Sequence, residues 1–237
     1  MPEEVPSKGV IERIKAKAQS EAKVWVDSAY YKNAETWTHI FWGRDWRFIE
    51  LFKQLRLDNV LKLACGHGRH SEHVLRHYHG QIRKMTCMDV NQENIEFCGK
   101  RLREWLASGM VELQKNNGID FQPIAAESVT SIFCYDAMVH FDKEVVAAYL
   151  RDAFRVLKSG GLGLFHHSNY SKDPDIHFGK KPHARNFMSK ELFADCARKA
   201  RLEIVTQKVI PWGGWLTMTA LRSYESRTNI VRRQSGA

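Results

Sequence analysis

Histidine and aspartate residues stand where two apolar segments of the chain end. Asp136 and His140 follow one such segment, and His166 and His167 close another, in the sequence FHHSN. An imidazole has a free pKa near 6.5, which suits removal of a proton from a hydroxyl group. Side chains alternate along a strand, so only one of His166 and His167 can point into a shared cleft. We predict these four residues as catalytic candidates, with His140 first among them; the alternative is that the histidines only line the rim.

A glycine turn between a buried strand and an amphipathic helix is the second feature. Residues 60–75 read VLKLACGHGRHSEHVL, an apolar run followed by Gly66, Gly68 and a helical pattern. The two glycines let a ligand approach the main chain, and the following helix directs free N–H groups toward it. Asp89 ends a second apolar run about 20 residues later, where nucleotide-binding α/β units place a carboxylate against ribose hydroxyls. Together these residues predict a nucleotide-type pocket.

In chain order, five segments resemble the motifs of class I S-adenosylmethionine-dependent methyltransferases. They are ACGHGR (64–69), KMTCMDV (84–90), VELQKNNG (111–118), SIFCYDAMVHF (131–141) and RVLKSGGLGLFHHSN (155–169). The resemblance covers roughly residues 55–220, and the ordered set is far more specific than any one member. Two positions depart from the first motif. Lys62 stands where the family usually has an acidic residue that helps hold the cofactor's amino end, and Ala64 replaces the first glycine.

The resemblance implies S-adenosyl-L-methionine as the cofactor. Asp89 is then expected to bind the ribose, the glycine turn to lie beside the methionine portion, and residues 117–119 to flank the adenine. The full set of expected cofactor residues is Ala64, Cys65, Gly66, His67, Gly68, Arg69, Asp89, Val90, Asn91, Asn117, Gly118, Ile119, Tyr135 and Trp42. The chain lacks the sequence G-x-x-x-x-G-K-[ST], which argues against an NTPase.

The acceptor is expected to be a small molecule. The chain lacks the [DN]-P-P-[FYW] tetrapeptide of base-amine methyltransferases and the glutamate pair of protein arginine methyltransferases. Its motifs are similar to those of bacterial methyltransferases associated with glycan and secondary pathways, which implies methylation of a sugar-like or natural-product hydroxyl. The segment 170–187 is rich in basic residues, which could bind an anionic or nucleotide-linked acceptor. The alternative is that this segment is an ordinary solvated loop. The expected substrate-binding residues are Tyr30, Tyr31, Asn169, Lys180, His183 and Arg185.

Alternating strand and helix patterns predict an α/β fold. The resemblance implies, for residues 56–223, a Rossmann-like, seven-stranded, mostly parallel sheet with helices on both faces and the last strand antiparallel. Residues 202–210 and 215–223 read as an antiparallel pair of strands. Residues 1–55 predict an N-terminal helical cap, which either only packs on the sheet or also acts as a lid over the cofactor. Residues 224–237 read as a polar tail.

The composition limits which general classes of protein this chain can belong to. With 237 residues and 43% hydrophobic content, one sizeable core is expected. The five cysteines contain no C-x-x-C pair and read as the reduced thiols of a cytoplasmic protein. No run of about 18 apolar residues and no signal-peptide pattern is present, so no membrane association is expected.

The net charge of +9 is dispersed along helix faces and the tail, which favours a solvated surface over nucleic-acid binding. Cys65, His67, His70 and His73 fall on a turn and several faces of one helix, so no metal site is predicted. Two other functions stay open: RNA methylation through the basic surface, and a catalytically degenerate partner subunit. A homodimer is compatible with the sequence.

Overall fold

The computed structural model describes residues 6–26, 28–43, 47–172, 186–210 and 216–223. The helices are α1 (Lys8–Ala22), α2 (Tyr30–Ala34), α3 (Thr38–Trp42), α4 (Arg47–Phe52), α5 (Arg69–Tyr78), α6 (Gln92–Arg101), α7 (Arg103–Ala107), α8 (Lys143–Val156) and α9 (Lys190–Lys199). The strands are β1 (Asn59–Leu63), β2 (Lys84–Asp89), β3 (Val111–Lys115), β4 (Val129–Cys134), β5 (Leu157–Ser168), β6 (Leu202–Ile210) and β7 (Leu216–Ser223). The predicted polar tail, 224–237, lies outside the described residues.

The strands form one sheet in the order β3-β2-β1-β4-β5-β7-β6. Neighbours from β3 to β5 pair in parallel, with Leu61 of β1 opposite Thr86 of β2 and Ile132 of β4. Strand β7 runs antiparallel to both β5 and β6. The predicted seven-stranded, mostly parallel sheet with an antiparallel last strand is therefore confirmed. The strand order reverses between β1 and β4, which opens a crevice at the carboxyl ends of these strands.

The sheet separates two apolar cores because successive side chains of each strand point to opposite faces. Val60 packs on one face with Phe52 and Phe133, whereas Leu61 packs on the other with Leu150. These residues are fully buried. Burial on both faces explains why apolar and polar residues do not alternate along β1 and β4.

Helices α1 to α4 lie between residues 8 and 52, where the helical cap is predicted. Helix α1 packs on α8 through the buried side chains of Ile14 and Ala18. At its exposed side, Arg13 makes two hydrogen bonds with Glu144, at 2.7 and 2.8 Å. Lys17 forms an ion pair with Asp142 at 2.6 Å. A small apolar contact and surface ion pairs therefore hold α1 against the sheet domain.

None of the helices in the described segments is long and apolar enough to cross a membrane.

Candidate cofactor and acceptor site

A cavity opens at the carboxyl edge of the sheet, beside the point where the strand order reverses. The space within it is about 1030 Å³ when the open mouth is counted. The ends of β1, β2 and β4 line one side, and α1, α2 and the residues between them line the other. The structure brings 14 predicted site residues together on its walls: Tyr30, Tyr31, Ala64, Cys65, Gly66, His67, Arg69, Asp89, Val90, Asn91, Gly118, Tyr135, Asp136 and His140.

Asp89 joins the glycine turn to the end of β2. One carboxylate oxygen accepts a hydrogen bond from the Gly66 N–H at 2.9 Å. The other oxygen accepts from the Asn91 N–H and from the Asn94 side chain, both at 3.0 Å. Burial raises the pKa of Asp89, and these hydrogen bonds oppose that rise by stabilising the charged form. The carboxylate is therefore held in a fixed position on the cavity wall.

The turn at Gly66 leaves no room for a side chain. Its φ of +52° is left-handed, and a Cβ atom would lie 2.8 Å from Cε1 of Tyr31. The Tyr31 ring stacks on His67 with centroids 3.8 Å apart, and its hydroxyl accepts a hydrogen bond from Asn94 at 3.0 Å. Tyr31 thus covers the glycine turn and belongs to the wall contributed by α2.

Asp136 connects the helical cap to the end of β4. Its carboxylate accepts a very short hydrogen bond from the Tyr30 hydroxyl and a hydrogen bond from Arg69 at 2.8 Å. Arg69 also donates to the Ala34 carbonyl at 2.8 Å. Burial, followed by the nearby Asp136 charge, raises the pKa of Tyr30 well above its usual range, so Tyr30 is a hydrogen-bond donor at neutral pH. The network fixes both the carboxylate and α2.

His140 lies in the short turn that follows β4 and lines the cavity. Its ring centroid is 4.4 Å from that of Trp25, and its main-chain carbonyl accepts a very short hydrogen bond from Asn186. This places an imidazole on the wall that the end of β4 shares with the cap.

Glu21 of α1 is a cavity residue that the sequence analysis missed. Burial, followed by the nearby charge of Asp142, raises its pKa to about 7. The Asn186 side chain lies 3.5 Å from its carboxylate. The available signal was weak: Glu21 precedes the cavity residue Trp25 by four positions, and so lies on the same helical face if the helix continues.

Asn116, one position before the predicted Asn117, lines the expected adenine side together with Gly118. Asn116 donates to the Tyr149 hydroxyl at 2.9 Å and accepts from the Gly118 N–H at 3.2 Å. Asn117 instead turns away, because its side chain bonds Asp120 and the Ile119 N–H. Ile119 is buried in the core and does not line the cavity.

Neither histidine at the end of β5 lines the cavity. His167 points to the α9 side, where it stacks on Phe193 at 3.7 Å and bonds the Thr219 hydroxyl at 2.9 Å. Burial lowers its pKa to about 3, so His167 is neutral, and its position away from the cavity argues against the predicted catalytic role. His166 points to the opposite face, as alternation requires. Its Nδ1 accepts a hydrogen bond from the Asp136 N–H at 3.2 Å, so it supports Asp136 from behind the wall.

Trp42, Gly68 and Asn169 also lie away from the cavity walls. Trp42 is buried against α5, where its indole N–H donates to His70 at 3.1 Å. A Cβ atom on Gly68 would lie 3.0 Å from the Cys98 sulfur, so this glycine packs against α6. The Asn169 side chain accepts from the N–H of Lys190 at the start of α9. The predicted substrate residues Lys180, His183 and Arg185 lie outside the described residues.

Residues 60–161 match a family described as a methyltransferase domain. This span begins in β1, contains the glycine turn and Asp89, and ends inside β5. It holds most of the segments on which the resemblance was based. No curated protein sequence matches the chain.

The fold is similar to several solved structures at low sequence identity. One is a chain of the complex between the Haloferax volcanii Trm112 methyltransferase activator and a methyltransferase (15% identity, TM-score 0.64, covering 89% of this chain and 99% of that one). A second is the [4+2]-cyclase SpnF (14%, 0.63, 85% of each chain). A third is geranyl diphosphate C-methyltransferase from Streptomyces coelicolor A3(2), solved with Mg²⁺, geranyl diphosphate and S-adenosyl-L-homocysteine (13%, 0.61, 92% and 100%).

These likenesses establish the fold and leave the reaction open, since the fold accommodates a cyclase as well as methyltransferases. The family match covers the glycine turn and Asp89, where the cofactor is expected. Taken together, the family match and the seven-stranded sheet identify residues 60–161 as a methyltransferase domain with the class I fold, whose cofactor is S-adenosylmethionine.

Proposed function

We propose that this methyltransferase transfers a methyl group to a hydroxyl group of a small sugar-like or natural-product acceptor. The observation that carries the proposal is the His140 imidazole on the cavity wall, beside Trp25. Histidine is the side chain whose ordinary pKa best suits proton removal near neutral pH. Helices α1 and α2 contribute walls on the side opposite the strand ends, which supports a small acceptor over an extended polymer.

The residues at the glycine turn fit the cofactor. Asp89 is buried at the cavity wall, and its carboxylate oxygens can accept hydrogen bonds beyond those from the protein. Gly66 also lines the cavity, and the Tyr31 ring packs where its Cβ atom would stand. When bound, the cofactor supplies an activated methyl carbon on a positively charged sulfur. We assign the ribose hydroxyls to Asp89, the methionine portion to the Gly66 turn and the adenine side to Asn116 and Gly118.

The protein's own part in the reaction is alignment and proton removal. The acceptor oxygen must be held close to the methyl carbon, in line with the bond that breaks. His140 takes the hydroxyl proton as the new carbon–oxygen bond forms, which keeps charge from building up on the acceptor. Tyr31 excludes water from the turn, and Asp136, fixed by Tyr30 and Arg69, accepts a hydrogen bond from the acceptor.

The charges on the described walls favour an acceptor without a negative charge. Four carboxyl groups line the cavity, those of Glu21, Glu35, Asp89 and Asp136, against the single guanidinium of Arg69. A phosphate or carboxylate beside these groups is repelled. An anionic or nucleotide-linked acceptor therefore requires cations such as Lys180 or Arg185, which lie outside the described residues.

The test uses S-adenosylmethionine labelled in the methyl group and pairs of acceptors that differ only in a hydroxyl or an amine at one carbon, such as methyl glucosides and their amino analogues. We expect label in the hydroxyl member of at least one pair, identified by mass spectrometry. His140→Ala should lower turnover by about 10²-fold or more with little change in cofactor affinity. His79→Ala is the matched control, because His79 is exposed and lies outside the cavity. Label found only on amines or on carbon contradicts the proposal, as does full activity of His140→Ala.

Dependence on a partner subunit is the second candidate. One structural neighbour was solved in complex with a methyltransferase activator, and its chain aligns with 89% of this one. A partner-dependent enzyme binds the cofactor alone but methylates its acceptor only after the partner is added. Turnover by the purified chain excludes this candidate.

A further inference from the structure

Lys62 in β1 carries a buried positive charge. Its side chain is 0% exposed, and the ammonium donates hydrogen bonds to the main-chain carbonyls of Leu63 at 2.7 Å and Ala64 at 2.9 Å. The ammonium also lies 5.3 Å from the centroid of the Phe133 ring. Within the described residues, no carboxylate lies within ion-pair distance of it. Burial of an ammonium group is costly, so its position needs an explanation.

The ammonium stands directly behind the cavity wall. Leu63 and Ala64, whose carbonyls hold it, both line the cavity at the start of the glycine turn. Its electrostatic effect extends along that wall. At Asp89, burial raises the pKa, and the Lys62 charge adds a small lowering influence to that of the hydrogen bonds. At Cys65, the hydrogen bond with Cys98 lowers the pKa, burial raises it to a net increase, and the Lys62 charge is again a small lowering influence. Because the charge is shielded from water, salt screens its effect on a bound ligand only weakly.

The cofactor and its demethylated product differ in one charge. Both carry the same carboxylate, ammonium, ribose and adenine groups, but the sulfur is a positively charged sulfonium in the cofactor and a neutral thioether in the product. A fixed positive charge near the methionine portion therefore repels the sulfonium of the cofactor but not the neutral thioether of the product. Its interactions with the other groups are the same for both ligands, so they cancel when the two affinities are compared.

We propose that Lys62 weakens binding of S-adenosylmethionine relative to S-adenosylhomocysteine, so that methyl transfer relieves a repulsion inside the site. In this step the sulfur–methyl bond breaks, its electron pair stays on sulfur, and the methyl group bonds to the acceptor, whose proton leaves. An interaction that is unfavourable only before the sulfur loses its charge raises the free energy of the bound cofactor more than that of the transition state. Lys62 is thus a positioning residue for the turn and a determinant of ligand charge preference.

The scale of the effect follows from Coulomb's law. Two unit charges about 10 Å apart, at an effective dielectric constant of about 20, change an equilibrium by roughly tenfold. We expect a change of about this size in the ratio of the two dissociation constants when the Lys62 charge is removed, and a further change in the same direction when it is reversed.

The test is calorimetric titration of wild type, Lys62→Gln and Lys62→Glu with S-adenosylmethionine, S-adenosylhomocysteine and sinefungin, which carries a protonated amine in place of the sulfonium. The ratio of the S-adenosylmethionine constant to the S-adenosylhomocysteine constant should fall roughly tenfold from Lys to Gln and fall again to Glu. Sinefungin should follow S-adenosylmethionine. Lys84→Gln is the control. Lys84 is the first residue of β2, so it lies at the amino ends of the strands, away from the cavity at their carboxyl ends, and it pairs with Glu112 near the surface.

Thermal melting of each variant keeps loss of folding separate from loss of binding. If Lys62→Gln weakens the binding of both ligands equally, Lys62 only shapes the turn and the proposal is overturned. An unchanged ratio across the Lys, Gln and Glu series overturns it too. Failure of the wild-type chain to bind either ligand is a different outcome, since it contradicts the cofactor itself.

Discussion

Replacement of Gly66 by alanine should destabilise the protein and close the cofactor site at once. The residue has φ +52°, a left-handed conformation that costs an alanine about 1–2 kcal/mol. The new Cβ atom would also lie 2.8 Å from Cε1 and 3.4 Å from the hydroxyl oxygen of Tyr31, so the ring must move. An added methyl group in a packed site costs about 1–3 kcal/mol more. The expected total is about 2–5 kcal/mol.

Gly109 offers a matched control for the backbone contribution. Its φ is +75°, but a Cβ atom there meets nothing within 4 Å. Gly109→Ala therefore pays the conformational cost alone, and both alanines gain the same reduction in unfolded-state entropy. In a chain of this size, about 1 kcal/mol lowers Tm by about 2–4 °C. Gly66→Ala should lower Tm at least about twice as far as Gly109→Ala.

Cofactor affinity separates the two variants further. Because Tyr31 covers the turn, Gly66→Ala should weaken S-adenosylmethionine binding by about tenfold or more, whereas Gly109→Ala should leave it unchanged. Tyr31→Ala should relieve the contact, so that the double variant is more stable than the two single effects predict. The reasoning is refuted if the two alanine variants melt together and bind the cofactor equally well.

Three further predictions follow from the site. Tyr30→Phe removes a hydrogen bond from Asp136 and should lower turnover by about tenfold with little effect on cofactor affinity, measured by steady-state kinetics and calorimetry; equal loss of both would contradict it. The pKa of Glu21 is raised to about 7, so in the folded state this carboxyl group holds its proton over a pH range in which the unfolded chain has lost it. Its contribution to the free energy of unfolding therefore falls as the pH rises from about 4.5 to 7. The Tm advantage of Glu21→Gln over wild type should grow across that window, and a flat difference would be inconsistent with it. His167→Ala should cost about 1–3 kcal/mol in urea unfolding but spare kcat, because His167 bonds Thr219 away from the cavity.

The parallel sheet and the core of the cofactor site follow from local sequence. Runs such as VLKLA and KMTCMDV are too short and too apolar for surface helices, and parallel pairing brings their carboxyl ends to one edge. That geometry alone places Gly66 and Asp89 together, and the structure joins them by a hydrogen bond of 2.9 Å. A hydrophobic pattern with a period of 2 or 3.6 residues is therefore sufficient to predict which segments form strands and helices.

The direction of individual side chains could not be predicted in the same way. Trp25 and Trp42 are equivalent aromatics in a helical segment, yet Trp25 lines the cavity and Trp42 packs against α5. The choice depends on where the short helices of the cap break, which tertiary packing decides. Strand alternation separates His166 from His167 but does not say which faces the crevice. In the structure neither reaches the cavity: His166 accepts a hydrogen bond from the Asp136 N–H, and His167 stacks on Phe193.

The attachment of α1 has a consequence for the kinetics of ligand exchange. The helix contributes Ala18 and Glu21 to the cavity wall, and two of the contacts that hold it, the Arg13–Glu144 and Lys17–Asp142 pairs, are largely at the surface. Its other contacts are the buried side chains of Ile14 and Ala18 and a hydrogen bond of 2.9 Å from Asn91 to the Ala22 carbonyl. Added electrolyte weakens exposed pairs of this kind, whereas the buried hydrogen bonds of Asp89 are little affected. Ionic strength should therefore change how often the wall opens, and with it the rates of ligand association and release, while the contacts around Asp89 stay the same.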